Sequence, residues 1–245
     1  MLGILLQPVF SFKDHRLLVI APHADDEVLG CCGLINKVKD NGGKVFVNVL
    51  SIGGFGKIGF GKITKELWKK EFLKVVKFLK IDNYDISYFS DEKILKLDTV
   101  PQAELIDIIE LKSKVSLSKI KPTIVAIPTV FSHHQDHIVA YKAAITALRA
   151  RPQSSDFVPK MVISYETSEY SHWSAHSEVG SFSPNLFFGM SKKEIDKKIK
   201  ALSFYKSQLR KGHRDKNSII KQSQIRGSEI GAEFAEAYHL HRLFF

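Results

Sequence analysis

The sequence predicts an α/β protein built on a mostly parallel, Rossmann-like sheet, strand order 3-2-1-4-5 plus C-terminal additions, with helices on both faces. Two observations carry this. Apolar runs at 17–21 and 123–130 are continuous rather than alternating, as expected of strands buried on both sides. Both runs end in a polar cluster that leads into a helical pattern, and such strand–loop–helix units join through right-handed crossovers. Ligands of open α/β sheets gather at the carboxyl ends of the strands, where both clusters fall.

Taken in order, residues 1–15 read as an irregular lead-in. The first strand stops at Pro22, and a helix opens on Asp25 and Asp26, which suit the N-cap and first turn. That helix runs through 31–38 and ends at Asn41-Gly42-Gly43. Residues 44–51, KVFVNVLS, form the second strand. Residues 53–61 are rich in glycine and phenylalanine but lack phosphate-loop spacing, so the 53–65 segment reads as a loop bordering the site. Residues 66–80 are an amphipathic helix with Leu67, Phe72, Val75, Val76 and Leu79 inward. The third strand is 85–89. A helix at 100–120, broken near 113–118, precedes the fourth strand, and an alanine-rich helix then extends to 150. Residues 151–156 are a linker, 161–167 the fifth strand and 191–209 a further helix. No repeat or composition change marks a boundary, so 1–245 reads as one domain.

Composition is that of an ordinary globular protein, 44% hydrophobic and 25% charged. MLGILL is too short for a signal-peptide core, and no apolar run reaches membrane-span length. The only cysteines, Cys31 and Cys32, are adjacent and lack C-x-x-C spacing, which points to a reducing cytoplasm. A net charge of +10 and a pI near 9.4 suggest anionic partners, although most lysines fall on helix faces expected to be solvated. No nucleic-acid-binding motif accompanies the charge, and no nucleic acid partner is expected.

The chemistry concentrates in the two polar clusters. His23, Asp25, Asp26 and Glu27 follow the first strand, and capping needs one acid, not three with an imidazole. His133, His134, Asp136 and His137 follow the fourth. Neighbouring strand ends would bring His23 and Asp26 near His137, and two histidines with one carboxylate are a catalytic zinc arrangement. His172 and His176 qualify as ligands on composition alone.

At these residues the chain resembles the PIG-L/LmbE-type zinc-dependent de-N-acetylases. His23-Ala24-Asp25-Asp26-Glu27 is similar to their A-H-P-D-D-E signature and His134-Gln135-Asp136-His137 to H-x-D-H. Tyr205-Lys206-Ser207-Gln208 resembles Y-x-S-Q, and Arg226-Gly227 with Ala235-Glu236-Ala237-Tyr238 resembles R-G…A-E-A-F. Residues 182–187 resemble the F-x-P-N-x-F stretch of some bacterial members. The resemblance implies that His23, Asp26 and His137 hold Zn2+, with another divalent metal such as Fe2+ as the alternative. It implies Asp25 as general base and His134 in support of the oxyanion. In the mechanism expected here His134 is protonated, Asp136 is placed to orient His134 or His137, and Glu27 is structural or supports the ligands from behind.

The chain departs from the family at R-x-x-E, where Trp68 stands in the arginine position ahead of Glu71. Trp68 is expected to pack in the core, with stacking on a sugar as the alternative, and Asp91 resembles a substrate-side aspartate. Trp68, Asp91, Tyr170 and Trp173 are therefore the candidate substrate contacts. The implied reaction is removal of an N-acetyl or N-acyl group from an amino-sugar conjugate, nucleotide- or lipid-linked, in bacterial glycoconjugate or small-molecule biosynthesis. Hydrolysis of another amide or ester, or a non-catalytic sugar- or nucleotide-binding domain, is the alternative.

Overall fold

The computed structural model describes residues 11–57, 61–150, 157–167, 180–209 and 214–244. The first strand, β1 (Arg16–His23), shows why its sequence is uninterrupted by polar residues. Leu17, Val19 and Ala21 enter one core, while Leu18 and Ile20 enter the other. Alternate side chains of a strand point to opposite faces, so a strand covered on both sides must be apolar throughout. The helix α1 (Asp26–Asp40) follows, then β2 (Lys44–Ile52), which pairs in parallel with β1.

The glycine-rich segment after β2 contains a short hairpin, β3 (Phe55–Lys57) and β4 (Gly61–Ile63), where the sequence suggests only a loop. Helix α2 (Lys65–Leu79) starts on a Thr64 cap whose side chain accepts the Leu67 amide. Its buried face carries Trp68, Glu71, Phe72, Val75 and Leu79. Leu67, expected inside, is 45% exposed, and Trp68 takes the inward place. The edge strand β5 (Asn83–Phe89) is only partly covered. The predicted helix at 100–120 is divided into α3 (Gln102–Asp107), a π-helical turn at Ile108–Lys112 and α4 (Leu117–Ile120). Next come β6 (Ile124–Pro128), α5 (Gln135–Ala147) and β7 (Met161–Tyr165).

The C-terminal additions extend the same sheet. After β8 (Leu186–Met190), helix α6 (Lys192–Leu202) opens on a Ser191–Glu194 capping box and ends seven residues before the predicted limit. Helix α7 (Lys216–Ser228) and β9 (Phe234–Leu243) complete the described chain. The sheet order is β5-β2-β1-β6-β7-β9-β8. Its five parallel strands, counted among themselves, run 3-2-1-4-5 as the sequence predicts, and β9 and β8 join antiparallel beyond β7. Helices α1, α2, α6 and α7 contribute to one core and α3, α4 and α5 to the other.

Two motif residues lock the additions to the centre. The Glu236 carboxylate, 5% exposed, accepts the Gly33 and Leu34 amides at 2.8 and 3.0 Å and the Lys198 ammonium at 2.7 Å. Tyr238 Oη donates to it at 2.7 Å. Arg226 donates to both oxygens of Glu166, at 2.6 and 2.8 Å, a bidentate pair. The neighbouring Gly227 is needed because a Cβ would lie 2.5 Å from the Ala232 carbonyl oxygen.

Gly30 has a comparable role on α1. A Cβ there would sit 2.1 Å from the ring of Tyr165, whose hydroxyl donates to the Ile20 carbonyl at 2.9 Å. Gly30→Ala is expected to cost about 1–3 kcal/mol by overpacking. Urea unfolding measures this, and an unchanged midpoint would place the Tyr165 ring elsewhere.

Candidate metal centre and active site

Parallel pairing of β1 with β6 (Leu17↔Ile124 to Val19↔Ala126) sets the two polar clusters side by side at the carboxyl edge of the sheet. His23 is the last residue of β1, Asp26 opens α1, and His137 lies in the first turn of α5. The Asp26 oxygen Oδ2 accepts the His23 amide at 3.0 Å. It stands 3.6 Å from His23 Nδ1 and 3.3 Å from His137 Nε2. One ligand atom from each of the three residues lies within 4.8 Å of the others, so the trio could hold a metal ion.

Electrostatics suit a cation. Burial alone would raise the Asp26 carboxyl, but His137 and His23 hold it well below the usual carboxylate range. Its second oxygen, Oδ1, is buried and finds no hydrogen-bond partner among the described residues. A carboxylate with one oxygen between two imidazoles and the other left without a partner is a donor set a borderline divalent ion takes. Burial would lower His23, yet its hydrogen bonds to the Asp136 and Asp26 carboxylates outweigh it and raise the imidazole to about 9. A proton there balances charge that a cation would otherwise balance.

The Asp136 carboxylate meets His23, not His134 or His137 as expected. Its Oδ2 lies 2.9 Å from His23 Nε2, and its Oδ1 accepts the Leu97 amide at 3.0 Å. This occupies the far nitrogen of His23 and leaves Nδ1 toward Asp26, as outer carboxylates do for ligating histidines. His23, His134 and Asp136 form a second group close enough for a metal. Both Asp136 oxygens are already engaged, which favours the trio with the orphaned oxygen.

His134 differs from its expected state. Its Nδ1 accepts the Asp136 amide at 3.2 Å, capping α5. Burial, followed by the charges of His23 and His137, lowers it to about 3. The ring is neutral at pH 7 rather than protonated, and with Nδ1 accepting, Nε2 carries the hydrogen.

Asp25 caps α1 with φ 122° and ψ −26°, a conformation that residues other than glycine rarely adopt. Its amide donates to Glu27 Oε2 at 2.9 Å, and the other Glu27 oxygen accepts the Tyr205 hydroxyl. Burial, with a smaller contribution from the Asp25 charge, pushes Glu27 up to about 8 against those hydrogen bonds. Glu71 is also used from the C-terminal side, accepting the Ser207 amide and hydroxyl at 3.0 and 2.6 Å.

Trp68 is not a sugar platform. It is 2% exposed, donates Nε1–H to the Ala24 carbonyl at 2.9 Å and meets Phe55 edge-on. The Asp91 carboxylate accepts the Gly54 amide at 2.7 Å and lies 3.9 Å from Lys65, so it closes the turn after β2. Tyr170, His172, Trp173 and His176 lie outside the described residues. Sequence reasoning assigned no role to Arg214, which donates to Asp25 at 2.5 Å and follows no motif. It also gave no contacts for Tyr205 and Ser207, whose Y-x-S-Q element was the available signal.

Residues 18–148 match the PIG-L family, described as GlcNAc-PI de-N-acetylase. The chain belongs to this family. It is 26% identical over 200 residues to the uncharacterized deacetylase YaiS of Escherichia coli K12, covering 80% of this chain and 92% of that one. Among solved structures, the conserved protein TT1542 of Thermus thermophilus superposes with a TM-score of 0.71 at 25% identity, covering 94% and 96% of the two chains. The N,N'-diacetylchitobiose deacetylase of Pyrococcus horikoshii shares the fold with a TM-score of 0.67 at 18% identity, covering 92% and 83%. No helix among the described residues is long and apolar enough to cross a membrane.

The PIG-L centre gives the metal-free protein a defined pH response. The folded pKa of His23 lies above its ordinary 6.5, so its stabilisation is full below pH 6.5 and is lost as pH rises through about 9. Glu27, raised from 4.5 to about 8, acts in the same direction. In chelator, the two groups together should lower stability by on the order of 4–5 kcal/mol between pH 6.5 and 9. Urea midpoints that stay level across that window would remove the buried proton from this account.

Proposed function

We propose that the protein hydrolyses the N-acetyl or N-acyl amide of an amino-sugar conjugate, using a divalent cation, zinc first, held by His23, Asp26 and His137. The Asp26 carboxylate, with Oδ2 between two imidazoles and Oδ1 left without a partner, carries this reading together with the Asp25 carboxylate on the adjacent residue. Membership of a de-N-acetylase family supports the bond type, and the chitobiose deacetylase that shares the fold supports the substrate class. When bound, the cation supplies Lewis acidity to the acyl carbonyl and to water.

The chain's own groups do the rest. Asp25 accepts the proton of the attacking water and returns it to the departing amine nitrogen, which frees the amine and the carboxylic acid. Neutral His134 donates Nε2–H to the carbonyl oxygen as negative charge gathers there. Asp136 keeps the His23 ring turned toward Asp26. Asp25 and Asp26 do not exchange roles, because one carboxylate meets Arg214 and the other meets the imidazoles.

We read residues 1–245 as one catalytic unit, supported by the single seven-stranded sheet that includes the C-terminal strands. Two free buried cysteines support a cytoplasmic setting. The charge of +10 favours a nucleotide- or lipid-linked sugar over a neutral one.

Incubation with N-acetylglucosamine, N,N'-diacetylchitobiose and UDP-N-acetylglucosamine, with free amine followed by fluorescence, tests the reaction class. Release from at least one is expected, and none from any, with zinc bound, would count against it. Asp25→Asn should retain metal and lose about 10²- to 10⁴-fold in kcat. Near wild-type turnover in that variant would move the base elsewhere. His137→Ala should lower bound metal, measured by elemental analysis, and an intact stoichiometry would remove His137 from the ligand set.

A further inference from the structure

The loop that presents Asp25 is held at three points. Trp68 binds the Ala24 carbonyl, Glu27 binds the Asp25 amide, and Tyr205 secures Glu27. These contacts hold the backbone in its unusual conformation. The carboxylate itself is met by Arg214, whose Nη1 donates to Asp25 Oδ2 at 2.5 Å, with the two side chains only 9% and 1% exposed. Arg214 reaches the site from a segment anchored on both sides. Before it, Tyr205 and Ser207 dock on Glu27 and Glu71. After it, Asp215 caps α7 through a reciprocal bond with Ser218.

We propose that Arg214 is a positioning residue for the proposed reaction, fixing the orientation of the Asp25 carboxylate toward the reacting atoms. The inference rests on Asp25 being the base. A guanidinium does not surrender its proton at any working pH, so Arg214 takes no part in proton transfer. Its donors lie in a rigid fork, and at this degree of burial the pair is held far more firmly than a surface pair. Misplacement of a reacting group by about 1 Å can cost on the order of 10²-fold in rate. Because Trp68, Glu27 and Tyr205 hold the backbone independently, removing Arg214 takes its contact from the carboxylate and leaves the anchors of the loop in place.

The test uses the zinc-loaded full chain and whichever of the three probes named above is turned over fastest. Arg214→Ala should keep its metal content and lower kcat about 10- to 100-fold, with KM within about twofold. Guanidinium chloride at low millimolar concentration should restore part of that kcat in Arg214→Ala and none in Asp25→Asn. Arg214→Lys should fall between wild type and Arg214→Ala. A wild-type kcat in Arg214→Ala, with Asp25→Asn inactive, overturns the proposal and leaves the base assignment standing. An active Asp25→Asn overturns the reading beneath it. If Arg214→Ala fails to fold, the lysine variant decides: a folded protein with reduced kcat and unchanged KM, improved by guanidinium, supports the proposal. Loss with no recovery in either variant assigns Arg214 to folding and overturns it.

Discussion

A carboxylate with no exposed surface, Asp26, is the constraint on which the centre depends. Removing an ionised carboxylate from water costs several kcal/mol, and the cost is offset only by close partners of opposite charge or by a metal. His23 and His137 supply that environment, and they come from different strand–helix units. The two units must therefore be neighbours, which the parallel pairing of β1 and β6 ensures. His23 in turn needs its far nitrogen satisfied, which draws in Asp136, and Asp136 draws in the amide of Leu97. One buried charge thus propagates into a network that spans β1, α1, α5 and the turn before α3.

The sequence made the parallel sheet legible because burial on both faces leaves little room for polar residues within β1 and β6, and β2 admits a buried Asn48 only with Ser87 donating to its side-chain oxygen. The cluster of His23 and Asp26 was legible for a related reason: three acids and a histidine exceed what capping a helix requires. Helix α2 was harder. Leu67 and Trp68 both fit the spacing of Phe72 and Val75, and periodicity alone does not choose between adjacent residues. The choice fell to the Trp68 indole, whose N–H satisfies a carbonyl in the signature loop. The hairpin in the glycine-rich segment was missed because three-residue strands carry too little alternation to register.

Arg214 left no trace in the sequence at all. Its partner is 189 positions away, and a single arginine in the run KGHRDKN has no periodicity or spacing to distinguish it. Tyr205 was visible as part of a motif, but its contact with Glu27 required the fold. The expected mechanism also misjudged a protonation state. His134 was expected to be charged, yet it is packed among groups that already carry positive charge and burial favours its neutral form. In each case the missing information was three-dimensional proximity between residues distant along the chain.

The Glu236 clamp has a consequence for how the molecule is made. The amides it accepts, at Gly33 and Leu34, lie in the first helix, more than 200 positions earlier. A ribosome releases the chain from its amino end, so the ligand-bearing units emerge long before β9 exists to receive their helix. Contacts this distant close late and slowly. The half that matches the PIG-L family therefore spends much of its synthesis with α1 unsupported on one side. The clamp on α1 closes only when β9 takes its place between β7 and β8.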